Sequence, residues 1–273
     1  MLIVESQSLD VYHNLAVEEY LMDAVRDKGP ILFLWRSREA VVMGKNQNPW
    51  RECRLDRMRA EGVPLARRVS GGGTVYHDLG NLNYCVITGR EEYCECDAYH
   101  MVFEALAAFG IEAEQTGKSN LSVAGLKFSG NAFAFRKGRA LHHGTLLLDT
   151  DLVKLNRYLG SMLDGIETHA IASVPAGVAN LEVPLPALVA ALKTSFAKLY
   201  GGGPVETWSD ARIDAAVLGP MVERQRSDSW RFDATPKFSV VLGGERVDVV
   251  KGQVMEGDSA GERFAPIAFS LVC

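Results

Sequence analysis

Between Leu65 and Tyr84 the sequence LARRVSGGGTVYHDLGNLNY places two arginines, three consecutive glycines and a histidine in one short segment. Gly71, Gly72 and Gly73 tolerate positive φ and leave the main-chain N–H groups unobstructed, so a phosphate or carboxylate can approach the backbone closely. Arg67 and Arg68 precede them, and the β-branched and aromatic residues from Thr74 to Tyr76 return the chain to strand. A glycine run alone is consistent with a tight turn, but the flanking basic pair points to anion binding. No Gly-Lys-Ser/Thr follows and no helix opens after the glycines, which excludes a Walker phosphate loop.

A second cluster follows in GLKFSGNAFAFRKGRALHHGTLL. Lys127 comes after a turn at Ala124-Gly125 and before Ser129-Gly130-Asn131-Ala132, small residues that leave room beside it. A lone lysine on a strand is ordinarily a solvated edge residue, but here its neighbours are small or apolar. His142 and His143 are adjacent on a strand, so alternation sends one inward and the other outward and argues against a shared metal. Arg68, Lys127, His77 and His143 suit a site for a carboxylate and a phosphate, where fixed positive charge stabilises developing negative charge. No G-x-S-x-G and no cysteine nucleophile setting appears, which favours adenylation over covalent enzyme catalysis.

The 273 residues, 47% of them hydrophobic, are enough to bury a full core. A net charge of −5 argues against general nucleic-acid affinity. The N-terminal MLIVESQSLD has no basic leader and no window approaches the ~20 apolar residues of a membrane span, so a cytoplasmic protein is expected. Cys53, Cys85, Cys94, Cys96 and Cys273 show no disulfide framework and read as reduced thiols. The lone C-x-C lacks the second ligand pair of a zinc site.

Positioning these residues falls to an irregular mixture of elements. The periodicity predicts an amphipathic helix over Asn14–Val25, with Glu18, Glu19 and Asp23 on its polar side. Strands follow at Ile31–Trp35 and Ala40–Met43, then a helix over Trp50–Gly62 and strands at Leu65–Val69 and Asn81–Thr88. Ala98–Phe109 and Leu185–Tyr200 read as helices, the latter stopped by Gly201-Gly202-Gly203. Leu121–Val123, Leu126–Ala134, Thr145–Leu148, Glu245–Val250 and Gln253–Met255 read as strands, and Arg224–Ser229 as a polar connection. The expected fold is α+β, a mixed, largely antiparallel sheet with packed helices and a short C-terminal β element that packs on the body.

At RRVSGGGTVYHDLGNLNY, GLKFSGNA and HHGTLLLDTDL, in that order, the sequence resembles the lipoate-protein ligase family within the biotin and lipoate protein ligases. The asparagine-proline-tryptophan at Asn48–Trp50 and SVPAGVANL at Ser173–Leu181 add to the likeness, which covers nearly all of residues 1–240. The resemblance implies that lipoate, or octanoate, reacts with ATP to give an acyl-adenylate and pyrophosphate, and that the acyl group then passes to a lysine of a lipoyl-domain acceptor protein of the E2 or H-protein kind. By position, Arg68, Gly73, Thr74, Val75 and Tyr76 would hold the nucleotide, and Lys127 would bind both the acyl carbonyl and the α-phosphate. Ser70, Gly71, Gly72, His77 and His143 would line the acyl site, with Val75, Val86 and Leu146 as its apolar slot.

Three departures qualify the resemblance. Asn120 stands in GKSNLSV where such ligases carry an acidic residue, which leaves the ligands of Mg²⁺ unassigned. SVPAGVANL has proline and glycine where bacterial ligases carry arginines, a feature of the lipoyltransferase branch. Residues 1–226 then correspond to the catalytic domain and 227–273 to a truncated accessory element, which implies either help from a separate accessory-domain protein or mainly acyl transfer. A lipoyl or octanoyl transferase is thus the second reading. Its cysteine-dependent form is disfavoured because Glu112–Asn120 contains no cysteine.

Overall fold

Successive residues of the main strands are apolar on both faces, and the sheet they form is covered on both sides. The computed structural model describes residues 1–201 and 203–270. Eight strands lie in the order Glu206–Ser209, Leu2–Glu5, Ile31–Trp35, Asn81–Gly89, Arg139–Leu147, Leu126–Arg136, Asn120–Val123 and Glu114–Thr116. Leu2–Glu5 runs parallel to both neighbours and the remaining pairs are antiparallel, so the mixed, largely antiparallel sheet forms as expected. Leu2, Val4, Ile31, Phe33, Cys85 and Leu141 face helices Val11–Asp23 and Ala215–Arg226. Ile3, Leu32, Leu34, Tyr84, Val86 and Leu146 face helices Glu95–Ala107 and Leu185–Leu199. Among the described residues no helix is long and apolar enough to cross a membrane.

Beside this body a three-stranded sheet runs Leu65–Arg67, Ala40–Met43, Val75–His77, and the glycine loop connects its two outer strands. Its core is shared with the tail. Trp50 packs against Phe232, Phe238 and Phe264 with ring centroids 5.7, 5.4 and 4.9 Å away, contacts worth about 0.5–1.5 kcal/mol each beyond area burial. The tail strands Phe238–Leu242, Glu245–Val250 and Gln253–Val254 form a second small sheet whose fourth strand, Glu167–Thr168, comes from the body. The tail therefore packs on the body as expected.

Several local readings are corrected. The helix expected over Trp50–Gly62 is two, Pro49–Glu52 and Leu55–Glu61. Cys53 between them is extended and bridges Leu159, while Gly62 ends the second helix at φ 70°. Glu18 and Glu19 are buried rather than on a solvated side. Arg224–Arg226 belongs to the helix Ala215–Arg226, where Arg224 pairs with Glu19 and Arg226 with Asp10. Leu152–Tyr158, capped by Asp151, and Phe264–Ser270 are helices with too few turns to show a period in the sequence. Cys94 and Cys96 are joined as a disulfide rather than reduced, whereas Cys53 and Cys85 are free and buried. Cys273 and Gly202 lie outside the described residues.

One buried cation ties the tail to the site. Arg67, fully excluded from solvent, donates to the carbonyls of Lys45, Gln47 and Arg231 at 2.8, 3.0 and 2.7 Å and to Thr235 Oγ1 at 2.8 Å. Burial pushes its pKa down to about 10, which still leaves it charged at neutral pH. Arg67→Ala leaves these acceptors unpaired around a cavity, so it should cost roughly 3 kcal/mol or more. Urea denaturation is expected to show a lower midpoint at an unchanged m-value.

Candidate active site

The glycine loop owes its shape to a second buried arginine. Arg68 donates through Nη1 to the Val42 carbonyl at 3.1 Å, through Nε to Ser70 Oγ at 3.0 Å, and through Nη2 to the carbonyls of Gly71 and Gly73 at 2.6 and 2.7 Å. Burial pushes its pKa down to about 10. Of the three glycines only Gly72 uses a positive φ, 82°. The loop lies so close to Gly44 that a Cβ there would stand 2.3 Å from the Gly72 carbonyl oxygen.

Lys127 stands where two cavities meet. It follows the turn at Ala124 and Gly125, both at positive φ, and its backbone is fixed by bonds from its own N–H to Gly177 O and from Ala179 N–H to its carbonyl. Gly130 clears space for it, since a Cβ there would meet Nζ at 3.1 Å. Burial, and then the charge of Arg68, hold the ammonium below the ordinary lysine range. A cation short of both water and counter-charge is primed to take up an anion.

The first cavity, about 500 Å³, is lined by Leu15, Trp35, Val42, Gly72, His77, Asn83, Ala132 and His143. The second, about 440 Å³, is lined by Arg51, Glu52, Tyr76, Phe128, Leu155, Asn156 and Gly160. Thr74, Val75, Lys127, Gly130, Thr145 and Ala172–Val174 border both. Gly73 borders the first only. Ser70 and Gly71 line neither and stand behind the wall, held by Arg68. Val86 and Leu146, expected in the apolar slot, face the opposite helix layer, and Leu15, Trp35 and Val42 supply the apolar wall instead.

Both histidines of the pair are buried, which corrects the inward and outward expectation: the sheet has a helix layer on each face. His142 meets Tyr99 at 5.0 Å between centroids and Asn131 Oδ1 at 3.1 Å. His143 faces the first cavity, with Nδ1 2.8 Å from Glu18 Oε2 and Nε2 2.7 Å from Ser70 Oγ. His77 also lines this cavity, and neither of its ring nitrogens has a protein partner. Burial, then Arg68 and His143, push its pKa down to about 3, so it is a neutral group free to bond a ligand.

A segment from Ala170 to Val178 roofs both cavities. Ser173 Oγ accepts from Thr74 N–H at 2.9 Å and from Gln47 Nε2 at 3.0 Å, while its own N–H donates to Glu52 Oε2 at 3.0 Å. Arg51 holds the Ala170 carbonyl at 2.9 Å. The sequence motifs reached this roof from Ser173 onward and contained Asn83 without giving it a role, but they missed Glu18, Trp35 and Gln47. Their signal was weak, because each lies within an ordinary helix, strand or turn and only tertiary packing turns it toward the site.

Magnesium, implied by ATP chemistry, needs open oxygen ligands. The carboxylates lining the cavities are Glu18, bonded to Trp35 and His143, and Glu52, bonded to Ser173 and Arg51. Among the described residues lining the cavities no carboxylate pair is left to cage the ion. Asn120, at the cavity rim, offers an amide only.

Residues 10–198 match the family described as the lipoyl protein ligase A/B catalytic domain. Over 248 residues, 86% of this chain and 72% of the relative, the sequence is 39% identical to lipoate-protein ligase A of Bdellovibrio bacteriovorus. The structure of LipL1 of P. falciparum in complex with lipoate superposes with a TM-score of 0.73 at 26% identity, covering 93% of this chain and 82% of that one. A lipoate-protein ligase A bound with ATP superposes with a TM-score of 0.70 at 25% identity, covering 84% and 97%.

Gly72→Ala places a side chain at φ 82° with its Cβ 3.0 Å from Arg68 Nη2. It should cost about 1–3 kcal/mol, whereas Gly71→Ala, with open space at its Cβ and no positive φ, should leave the melting temperature nearly unchanged. His77 and His142, both pushed to about 3 in the folded chain, take up protons near 6.5 once unfolded. The unfolded state thus binds more protons between these values, so stability is expected to fall as pH drops from about 6.5 toward 3. His77→Gln should flatten that loss in an acid-unfolding series.

Proposed function

The chain belongs to the lipoyl protein ligase A/B catalytic-domain family, and from that premise we propose that it is an ATP-dependent lipoate-protein ligase. It activates lipoate and transfers the lipoyl group to a lysine of a lipoyl-domain acceptor protein. The observation that carries this reading is the placement of Lys127 between a cavity with an apolar inner wall and a second cavity across the Thr74–Val75 backbone. The first suits an aliphatic arm and its ring. The second takes the nucleotide.

In the first step the lipoate carboxylate attacks the α-phosphorus of ATP, a bond to oxygen forms, and pyrophosphate leaves. Two anions must approach, and the Lys127 ammonium reduces their repulsion. In the second step the acceptor amine, having lost its proton, attacks the acyl carbon of the mixed anhydride. AMP leaves, and the same ammonium polarises the carbonyl and balances the departing phosphate. Ser70, Gly71 and Arg68 act on the acyl end by shaping the loop, while Gly72, His77 and His143 meet the acyl chain. Thr74, Val75 and Tyr76 form the rim of the nucleotide side, whereas Arg68 and Gly73, expected there, border the acyl cavity. Magnesium, on this reading, arrives on the phosphates of ATP. Residues 1–226 form the catalytic unit and 227–273 a short accessory element.

Lipoate-dependent exchange of label between pyrophosphate and ATP tests the activation step. Exchange supports the ligase, whereas transfer from synthetic lipoyl-AMP without exchange supports a transferase. Lys127→Ala is expected to lower both steps by at least two orders of magnitude while circular dichroism and the melting temperature stay near those of the parent. Turnover near the parent's would remove Lys127 from the mechanism.

A further inference from the structure

Glu18 sits deep in the molecule, 1% exposed, on a helix whose periodicity assigns it to the polar side. Its Oε1 accepts from the Trp35 indole Nε1 at 3.0 Å and its Oε2 from His143 Nδ1 at 2.8 Å. Both partners line the first cavity. From His143 the chain continues through Nε2 to Ser70 Oγ at 2.7 Å, from Ser70 to Arg68 Nε at 3.0 Å, and from Arg68 to the Gly71 and Gly73 carbonyls.

Each end of this chain has a fixed direction. An ionised carboxylate only accepts and a guanidinium only donates. With a neutral imidazole, Glu18 claims the proton on His143 Nδ1, which leaves Nε2 as an acceptor. Ser70 Oγ then accepts the hydrogen bond from Arg68 Nε and donates its own O–H to His143 Nε2. The serine, histidine and glutamate stand as a nucleophile, base and orienting acid would, but Ser70 lines neither cavity and one of its lone pairs is taken by Arg68. The arrangement suits alignment rather than attack.

We propose that Glu18 is a positioning residue for the acyl cavity: it holds Trp35, sets the tautomer of His143, and through Ser70 and Arg68 fixes the glycine loop for binding the acyl acid. The role in acyl binding rests on the ligase reading, whereas the tautomer does not. Glu18→Gln is the informative change. The indole can only donate, so the amide oxygen stays with Trp35, the amide NH₂ turns to His143, and the imidazole must move its proton from Nδ1 to Nε2.

Nitrogen-15 NMR of histidine-labelled protein reads that tautomer without any substrate. The Nδ1–H form is expected for His143 in the parent and the Nε2–H form in Glu18→Gln. In lipoate-dependent pyrophosphate exchange, the KM for lipoate should rise about tenfold, with the KM for ATP within about twofold of the parent. Ser70→Ala should give a similar rise, and the double variant should be no worse than the poorer single, because both changes break one chain. An Nε2–H tautomer in the parent, an unchanged tautomer in Glu18→Gln, equal rises in both KM values, or additive losses would each overturn the proposal. Absence of exchange in the parent would refute the ligase reading instead, and the tautomer would still decide the hydrogen-bond chain. If Glu18→Gln does not fold, the parent tautomer and the Ser70→Ala kinetics decide it.

Discussion

A lysine ammonium held partly out of water beside another buried cation is the constraint around which the site is organised. Burial and Arg68 both work against the charge on Lys127, and the fold tolerates this because carbonyl dipoles, a hydroxyl and the charge of Glu18 stabilise Arg68 without placing a carboxylate at the lysine. Four acceptors surround that guanidinium. Bonds of this charge-assisted kind are each worth about 1.5–3 kcal/mol, enough in sum to hold the guanidinium away from water. The result is a cavity with a positive wall and no internal anion at Lys127 to compete with an incoming one.

The adjacent arginines show how this wall is coupled to the rest of the chain. Arg67 and Arg68 leave their strand to opposite sides, as period-two geometry requires. One reaches Lys45, Gln47 and the turn at Arg231 and Thr235. The other grips the glycine loop. The end of the strand Leu65–Arg67 and the residue that follows it thus anchor the tail and the loop, and Trp230 returns a hydrogen bond from its Nε1 to the Arg67 carbonyl at 2.6 Å. The short C-terminal element is therefore a buttress of the site as well as a small sheet.

Legibility in the sequence followed how local each cause is. The strands Ile31–Trp35 and Ala40–Met43 have the bounds that their apolar, β-branched runs predict, because two faces of cover and a turn at each end leave one register, and the partly exposed Glu245–Val250 also has its expected bounds. The glycine loop and Lys127 were visible because bare backbone and an isolated cation among small residues are local features. Glu18 was not, since a helical period assigns polar residues to solvent and cannot see that Trp35 and His143 await it. Val86 and Leu146 were misassigned for a related reason. The sheet has two apolar faces, and alternation alone does not say which one borders the cavity. The break at Cys53 was hidden because it is imposed from Leu159, over a hundred residues away.

The roof leaves the charge at the site to Lys127. Between Ala172 and Val178 it presents no charged side chain, and Arg51 beside the second cavity is already paired with Glu52. Lys118 lines the outer part of the first cavity but is exposed, so solvent screens it. On the proposed reading, the charge of an acyl-adenylate phosphate is then met chiefly by Lys127 and by main-chain N–H groups. Desolvation lowers the pKa of that lysine when it is alone, and an anion at its side raises it again. Anion binding and retention of the proton are therefore one linked equilibrium. The ammonium is most firmly charged when a carboxylate and a phosphate are both beside it, which is when activation and transfer need it.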